Sequence, residues 1–187
     1  MKRFVYSVIT FLLLISLAGC QGSGRNLSDY DDEDIAAIVN GQEITIGDLR
    51  FMYEDEKVIG NIEGAVKLEL LLQEAKEMKV DVSKDIASQQ EMLLQLPQHE
   101  NDSLRESIQV FITSQAKKLG MNAEDYYSKY VERRSEQIAY IHAYVRETFG
   151  DPDSFDEVEL KEFDKKNNDY LNELMEKHSD QIEILIK

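Results

Sequence analysis

Tryptophan is absent from the chain, proline occurs twice, and cysteine occurs once, at Cys20. Two prolines leave long stretches in which helices run uninterrupted. A lone cysteine excludes an internal disulfide, a Cys-rich metal centre and a Cys-x-x-Cys redox pair. Histidine is scarce too: His99, His142 and His178 have no second His or Cys at ligand spacing, so no zinc site or nucleophile–base pair is indicated. His142 lies beside an apolar stripe and reads as a half-buried helix residue. There is no glycine-rich phosphate loop and no G-x-S-x-G turn. Basic residues number 21 against 37 acidic ones, which argues against nucleic acid or an anionic bilayer surface as a partner. Carboxylates are so frequent that no pair stands out as acid and base. Arg133 and Arg134 are expected to pair along their own helix with Glu136 and Gln137 rather than to hold an anion. The acidic run DYDDED at 29–34 lacks the Gly and closing Glu of an EF-hand loop and reads as a solvated stretch. Nothing here indicates an enzyme, a metal or a cofactor.

What is present begins with a targeting segment. Lys2 and Arg3 precede an apolar run at 4–17 that is short for a membrane span. Leu17-Ala18-Gly19-Cys20 then matches the lipobox of bacterial lipoproteins, in which the Cys thiol receives a diacylglycerol before cleavage. An ordinary signal peptide followed by a chance Cys, or an uncleaved anchor, is the competing reading. Lipidation at Cys20 places the mature chain on the extracytoplasmic face of a cell membrane, held by lipid with no spanning helix. Residues 21–34 are small, polar and acidic, as in a flexible tether. Without residues 1–20 the chain carries 37 acidic and 19 basic residues, a net charge of −18. The remainder, 35–187, suffices for one domain or for two small lobes sharing helices.

Residues 36–45, AAIVNGQEIT, read as two short strands about Asn40-Gly41, the preferred pair for a type I′ turn. Thr45 with Asp48 forms a capping box for a first helix ending near Gly60. A second helix is expected over 62–78, with Ile62, Ala65, Leu68 and Leu72 on one face. A third starts at Ser83 and stops before Leu96-Pro97. Ser103 with Glu106 marks a fourth, carrying Ile108, Phe111 and Ile112 and closed by Gly120. Asn122 with Asp125 opens a fifth, to about Phe149, where Gly150 stops it. Ser154 with Glu157 starts a sixth, whose polar stretch at 165–169 suggests a bend. QIEILIK at 181–187 alternates β-branched residues and is expected to be a strand pairing with the N-terminal hairpin. The fold class is therefore mainly α: about six helices with a small antiparallel sheet joining the chain ends.

The fifth helix carries Tyr126, Tyr127, Tyr130, Tyr140 and Tyr144. At helical spacing such a stripe is mostly core and core edge. Tyrosine also suits a surface that binds varied peptides, because it offers apolar area with little entropy to lose. Met52, Met78, Met92, Met121 and Met175 would add deformable apolar groups to such a surface.

Three segments together resemble one family. AAIVNGQEITIGDLRF is similar to the opening of the SurA/PrsA-type extracytoplasmic chaperone N-terminal domain. IEGAVKLELLLQEAKEMKVDVSKDI resembles its next helices, and LGMNAEDYYSKYVERRSEQIAYIHAYV its long Tyr-containing helix. These cover most of 35–150, and the terminal helix with QIEILIK resembles the family's C-terminal closure. The chain departs from the family at one junction. Foldase members insert a parvulin-type prolyl isomerase domain between the long helix and the last one, and here only residues 149–154 separate them. The resemblance therefore implies a lipoprotein chaperone module without isomerase activity, whose partners are unfolded or partly folded exported proteins. The second, fourth and fifth helices would form its cradle, with Tyr127, Tyr130, Tyr140 and Tyr144 contacting peptide. The alternative is a structural or adaptor lipoprotein docking one dedicated envelope partner.

Overall fold

The computed structural model describes residues 26–98, 101–150 and 157–186. The lipobox with Cys20, the start of the tether, His99 and the expected Ser154 cap lie outside the described residues. Among the described residues the chain is mainly helical, with six helices of seven residues or more, one short helical turn and one three-stranded antiparallel sheet. It divides into two compact units, 1–73 with 145–187 and 74–144, the divisions falling inside the second and fifth helices.

Strands β1 (Ile35–Val39) and β2 (Gln42–Thr45) form the expected hairpin. Its turn residues Asn40 and Gly41 have φ of 49° and 80°, the positive pair that a type I′ turn needs. Strand β3 (Ile182–Ile184) pairs antiparallel with β1, matching Val39 to Ile182 and Ala37 to Ile184, so β1 is central in the order β2-β1-β3. Ala36, Ala37 and Val39 are fully buried, and Ile186 beyond β3 is nearly so. Gln73 fixes the hairpin tip. Its Nε2 donates to the Val39 carbonyl (3.1 Å), and its Oε1 accepts from Asn40 Nδ2 (2.7 Å). The Asn40 N–H donates to the Gln181 carbonyl (2.9 Å), so one turn residue ties hairpin, helix and chain end together.

Helix α1 (Ile46–Met52) carries the predicted capping box: Asp48 N–H donates to Thr45 Oγ1 (3.1 Å) and Thr45 N–H to Asp48 Oδ2 (3.2 Å). It ends at Met52 rather than near Gly60. Tyr53 is extended, and a helical turn at Asp55–Val58 and a 3-10 turn at Ile59–Asn61 fill the rest. The carboxylates of Glu54, Asp55 and Glu56 favour a new helix start, where the dipole is positive, over continuation. Residues 26–34, expected within a flexible tether, are instead part of the fold. Leu27 and Tyr30 pack on the core of this unit. The Asp34 and Asp32 carbonyls accept from the Ile46 and Gly47 N–H groups (2.9 and 2.8 Å), and the Asp32 carboxylate meets Arg50 (2.6 Å). The acidic segment thus satisfies two amide groups that the first turn of α1 would otherwise leave unpaired.

Helix α2 (Ile62–Glu77) follows, burying Ile62, Val66 and Leu70. Helix α3 (Ser83–Gln95) is capped from Asp81 rather than by Ser83: the Asp81 carboxylate accepts from Ser83 N–H (3.0 Å) and Oγ–H (2.6 Å), bonds that hold its pKa below the usual value. It stops before Leu96-Pro97, as expected, in a 3-10 turn at Leu96–Gln98. Helix α4 (Asp102–Lys118) is capped by Asn101, whose Oδ1 accepts from Leu104 N–H (3.1 Å), so Ser103 lies inside the helix. Gly120 (φ 65°) closes it, with Met121 N–H reaching back to the Ala116 carbonyl (2.9 Å). Helix α5 (Ala123–Phe149) opens on Asn122, whose Oδ1 accepts from Asp125 N–H (2.8 Å), and stops at Gly150 (φ 75°). Helix α6 (Glu157–Lys177) runs unbroken through 165–169, where a bend was expected. Its Tyr170 and Phe163 rings pack edge-on against Phe149, at 5.2 and 6.4 Å between centroids.

Candidate functional site

In the 74–144 unit, packing is organised by aromatic rings. Tyr126 is fully buried and hydrogen-bonds to Gln115, itself buried; burial pushes its hydroxyl pKa well above the ordinary phenol value. Tyr127 is half-buried and donates its hydroxyl to the Leu93 carbonyl at the end of α3. Burial, then the neighbouring Tyr130, push the Tyr127 hydroxyl up to about 12. Tyr130, also half-buried, stacks on Tyr127 with centroids 6.2 Å apart and ring planes 14° from parallel. Phe111 from α4 meets Tyr130 edge-on at 5.5 Å and Tyr126 at 6.2 Å, the favoured geometry for aromatic pairs.

Tyr127 and Tyr130 therefore come together, and the other two candidates do not join them. Tyr140 lies ten residues further along α5, about 15 Å away at the helical rise. It packs beside Val82, Ala139 and Ala143, with the Lys76 ammonium 5.3 Å from its ring centroid. Lys76 also pairs with Glu136 at 3.1 Å. Tyr144 is 2% exposed and belongs to the core, so it presents nothing to a ligand. Apolar periodicity suggested Tyr127 for the buried stripe, whereas the deeper residue is Tyr126. Gln115 gave no apolar signal at all. His142 is half-buried, as expected.

The helices around these rings also differ from the expected cradle. Within this unit α3 also lies beside α4 and α5: Tyr127 reaches Leu93, and Gln109 Nε2 on α4 donates to the Pro97 carbonyl (3.1 Å), while the end of α2 meets α5 through Lys76. Of the five candidate methionines, only Met78, Met92 and Met121 belong to this unit, while Met175 packs in the core of the other.

The surface of α3 and α4 is unlike the rest of the chain. Leu94, Leu104 and Val110 are 53%, 40% and 67% exposed. Residues 86–98 contain a single charge, Glu91, and residues 107–116 contain none. The whole 74–144 unit holds 12 acidic and 9 basic residues, whereas 26–73 with 145–187 holds 25 acidic and 9 basic. The acidity is thus concentrated in the sheet-bearing unit, which exposes Leu185, while Leu94, Leu104 and Val110 lie in the less acidic one. Depletion of charge around exposed apolar side chains is the compositional mark of a protein-binding patch.

Among the described residues no group of His, Cys, Asp and Glu is placed to hold a metal ion, and no helix is long and apolar enough to cross a membrane. No protein-family model, curated protein or solved structure matches the chain.

Proposed function

We propose that the chain is a lipid-anchored extracytoplasmic holdase with a SurA-N-like helical domain, binding apolar segments of exported proteins without isomerising them. The observation that carries this reading is the charge-poor stretches 86–98 and 107–116, which expose Leu94 and Val110 in the unit that also holds half-buried Tyr127 and Tyr130, in an otherwise acidic chain. Apolar stretches of a client would cover Leu94, Leu104 and Val110, while the ring cluster holds α4 and α5 in place beneath. The acidic remainder would keep loaded complexes apart by like-charge repulsion. Lipid on Cys20 would hold the chaperone where exported chains emerge.

Suppression of aggregation of unrelated unfolded proteins by the mature chain tests the proposal. Leu94→Asp and Val110→Asp alter exposed positions, so the fold should persist while suppression falls, requiring about fivefold more protein if each side chain contributes as an interface anchor does. No suppression by the wild type would favour the adaptor reading, which a single crosslinked partner in the native envelope would then support. Catalysis of prolyl-peptide isomerisation above the uncatalysed rate would overturn the non-catalytic assignment.

A further inference from the structure

The two outer strands of the sheet are finished differently. On β2 the Glu43 carbonyl accepts from Gln42 Nε2 (3.2 Å) and the Thr45 N–H is taken by Asp48, so two main-chain groups there are already engaged by nearby side chains. Strand β3 forms the opposite edge, and no strand lies beyond it among the described residues. Asn40 N–H donates to the Gln181 carbonyl, and Leu185 N–H to the Ala36 carbonyl, each at 2.9 Å. Antiparallel pairing alternates, so Ile38 and Glu183 form the hydrogen-bonded pair between them. Ile182 and Ile184 consequently direct their main-chain N–H and C=O groups away from β1. Their side chains are half-buried against the core of that unit, whereas Glu183 is exposed and Leu185 is 49% exposed.

We propose that β3 accepts an added strand: an extended segment of an exported client in which a Lys or Arg stands between two apolar residues. This rests on the chaperone reading and gives it a second contact, through main-chain hydrogen bonds rather than side-chain burial. An incoming strand would pair with Ile182 and Ile184 through their outward groups. Its residue opposite Glu183 falls at a non-hydrogen-bonded position, where side chains are closest, on the solvent face. A cation there complements Glu183 and a unit holding 25 acidic against 9 basic residues at 26–73 and 145–187. The flanking residues fall on the same face as Ile182 and Ile184, which suits apolar side chains. Antiparallel pairing of β3 with β3 of a second copy in the corresponding register would set Glu183 against Glu183, so charge disfavours self-association.

The test uses the mature chain with short labelled peptides centred on Val-Lys-Val or Val-Glu-Val, and a Val-Lys-Val peptide methylated on its main-chain nitrogens. Fluorescence anisotropy should show the basic peptide binding best and the methylated one failing. Amide resonances of Ile182 and Ile184 should shift on binding. Glu183→Lys changes one exposed side chain and should reverse the preference, weakening the Val-Lys-Val peptide about threefold or more, as expected for converting a cross-strand attraction into a repulsion. Equal affinity for all three peptides, no binding, or a wild-type dimer in sedimentation whose interface is β3 would overturn the proposal. If the wild type suppresses aggregation yet shows none of these peptide effects, the holdase reading survives and strand addition does not. Loss of both removes the common premise.

Discussion

Replacing Ile186 by Ala probes the closure of the chain end, and Leu185→Ala is its control. The two residues are neighbours, and both donate their amides to the Ala36 carbonyl, at 3.2 and 2.9 Å respectively. Backbone bonding is therefore shared, while burial differs: Ile186 is 5% exposed and lies in the core with Ala36, Val39 and Leu174, whereas Leu185 is 49% exposed. Truncating a buried Ile to Ala removes transfer free energy and leaves a cavity, costing about 2–5 kcal/mol. Truncating an exposed Leu costs within about 0.5 kcal/mol. Against a total stability of about 5–15 kcal/mol, the first is a large fraction and the second is negligible. Urea unfolding followed by far-UV circular dichroism should show a lower midpoint for Ile186→Ala with an unchanged slope. A loss of about 3 kcal/mol lowers Tm by about 6–12 °C in a chain of this length. Ile186→Val should fall between, at about 1 kcal/mol. Equal effects of Ile186→Ala and Leu185→Ala, or a loss under about 1 kcal/mol for Ile186→Ala, would refute the idea that the C-terminus closes the core.

Gly47→Ala should release the 31–34 segment, because a Cβ at Gly47 would stand 2.9 Å from the Asp32 carbonyl oxygen. Hydrogen exchange at residues 26–34 would rise, and stability should fall by about 1–2 kcal/mol despite the better helix propensity of Ala. Gln73→Ala removes bonds to Val39 and Asn40 and should cost about 1–2 kcal/mol by equilibrium unfolding. Tyr127 titrates near 10 when unfolded and about 12 when folded, so its contribution is complete below pH 10 and fades as pH rises through 12. After discounting for its partial exposure, that is on the order of 1 kcal/mol. Tyr127→Phe should flatten the alkaline limb of the stability curve, and an unaltered limb would dismiss Tyr127 as its source.

Features set by adjacent residues were legible in the sequence. Asn40-Gly41 fixed the hairpin turn, Thr45 with Asp48 the start of α1, Asn122 with Asp125 the start of α5, and the alternation of Ile182, Glu183 and Ile184 the third strand. Features set by what another segment offers were not. Residues 29–34 look solvated because their side chains are acidic, yet their carbonyls are what α1 uses. Ser83 and Ser103 sit in good capping sequences, but Asp81 and Asn101 precede them and supply the acceptors. On α5, apolar spacing puts Tyr127 on the buried face and leaves Tyr126 off it, whereas Tyr126 is the fully buried one. The choice between them was made by Gln115 and Phe111 on α4, and by the Leu93 carbonyl on α3, none of which a single helical period reports.

The two units also differ in how they are held. The sheet-bearing unit closes through main-chain bonds between distant segments: Asn40 to Gln181, Ala36 to Leu185 and Ile186, and Asp32 and Asp34 to α1. Such bonds tolerate charged side chains on the outside, and 25 acidic residues share 26–73 and 145–187 with few consequences for packing. The 74–144 unit relies on side-chain contacts among Phe111, Tyr126, Tyr127 and Tyr130, with Ser135 fully buried and its hydroxyl donated to the Glu132 carbonyl at 2.9 Å. A unit built that way has no structural need to keep charge off the outer surface of α3 and α4, since Val110 lies on the exposed side of its helix. Glu or Lys at 107, 109, 110, 113 or 114 would maintain the helix equally well on propensity alone. The absence of charge at 107–116 is therefore not demanded by the fold, which is why the proposed contact with apolar client segments is placed there.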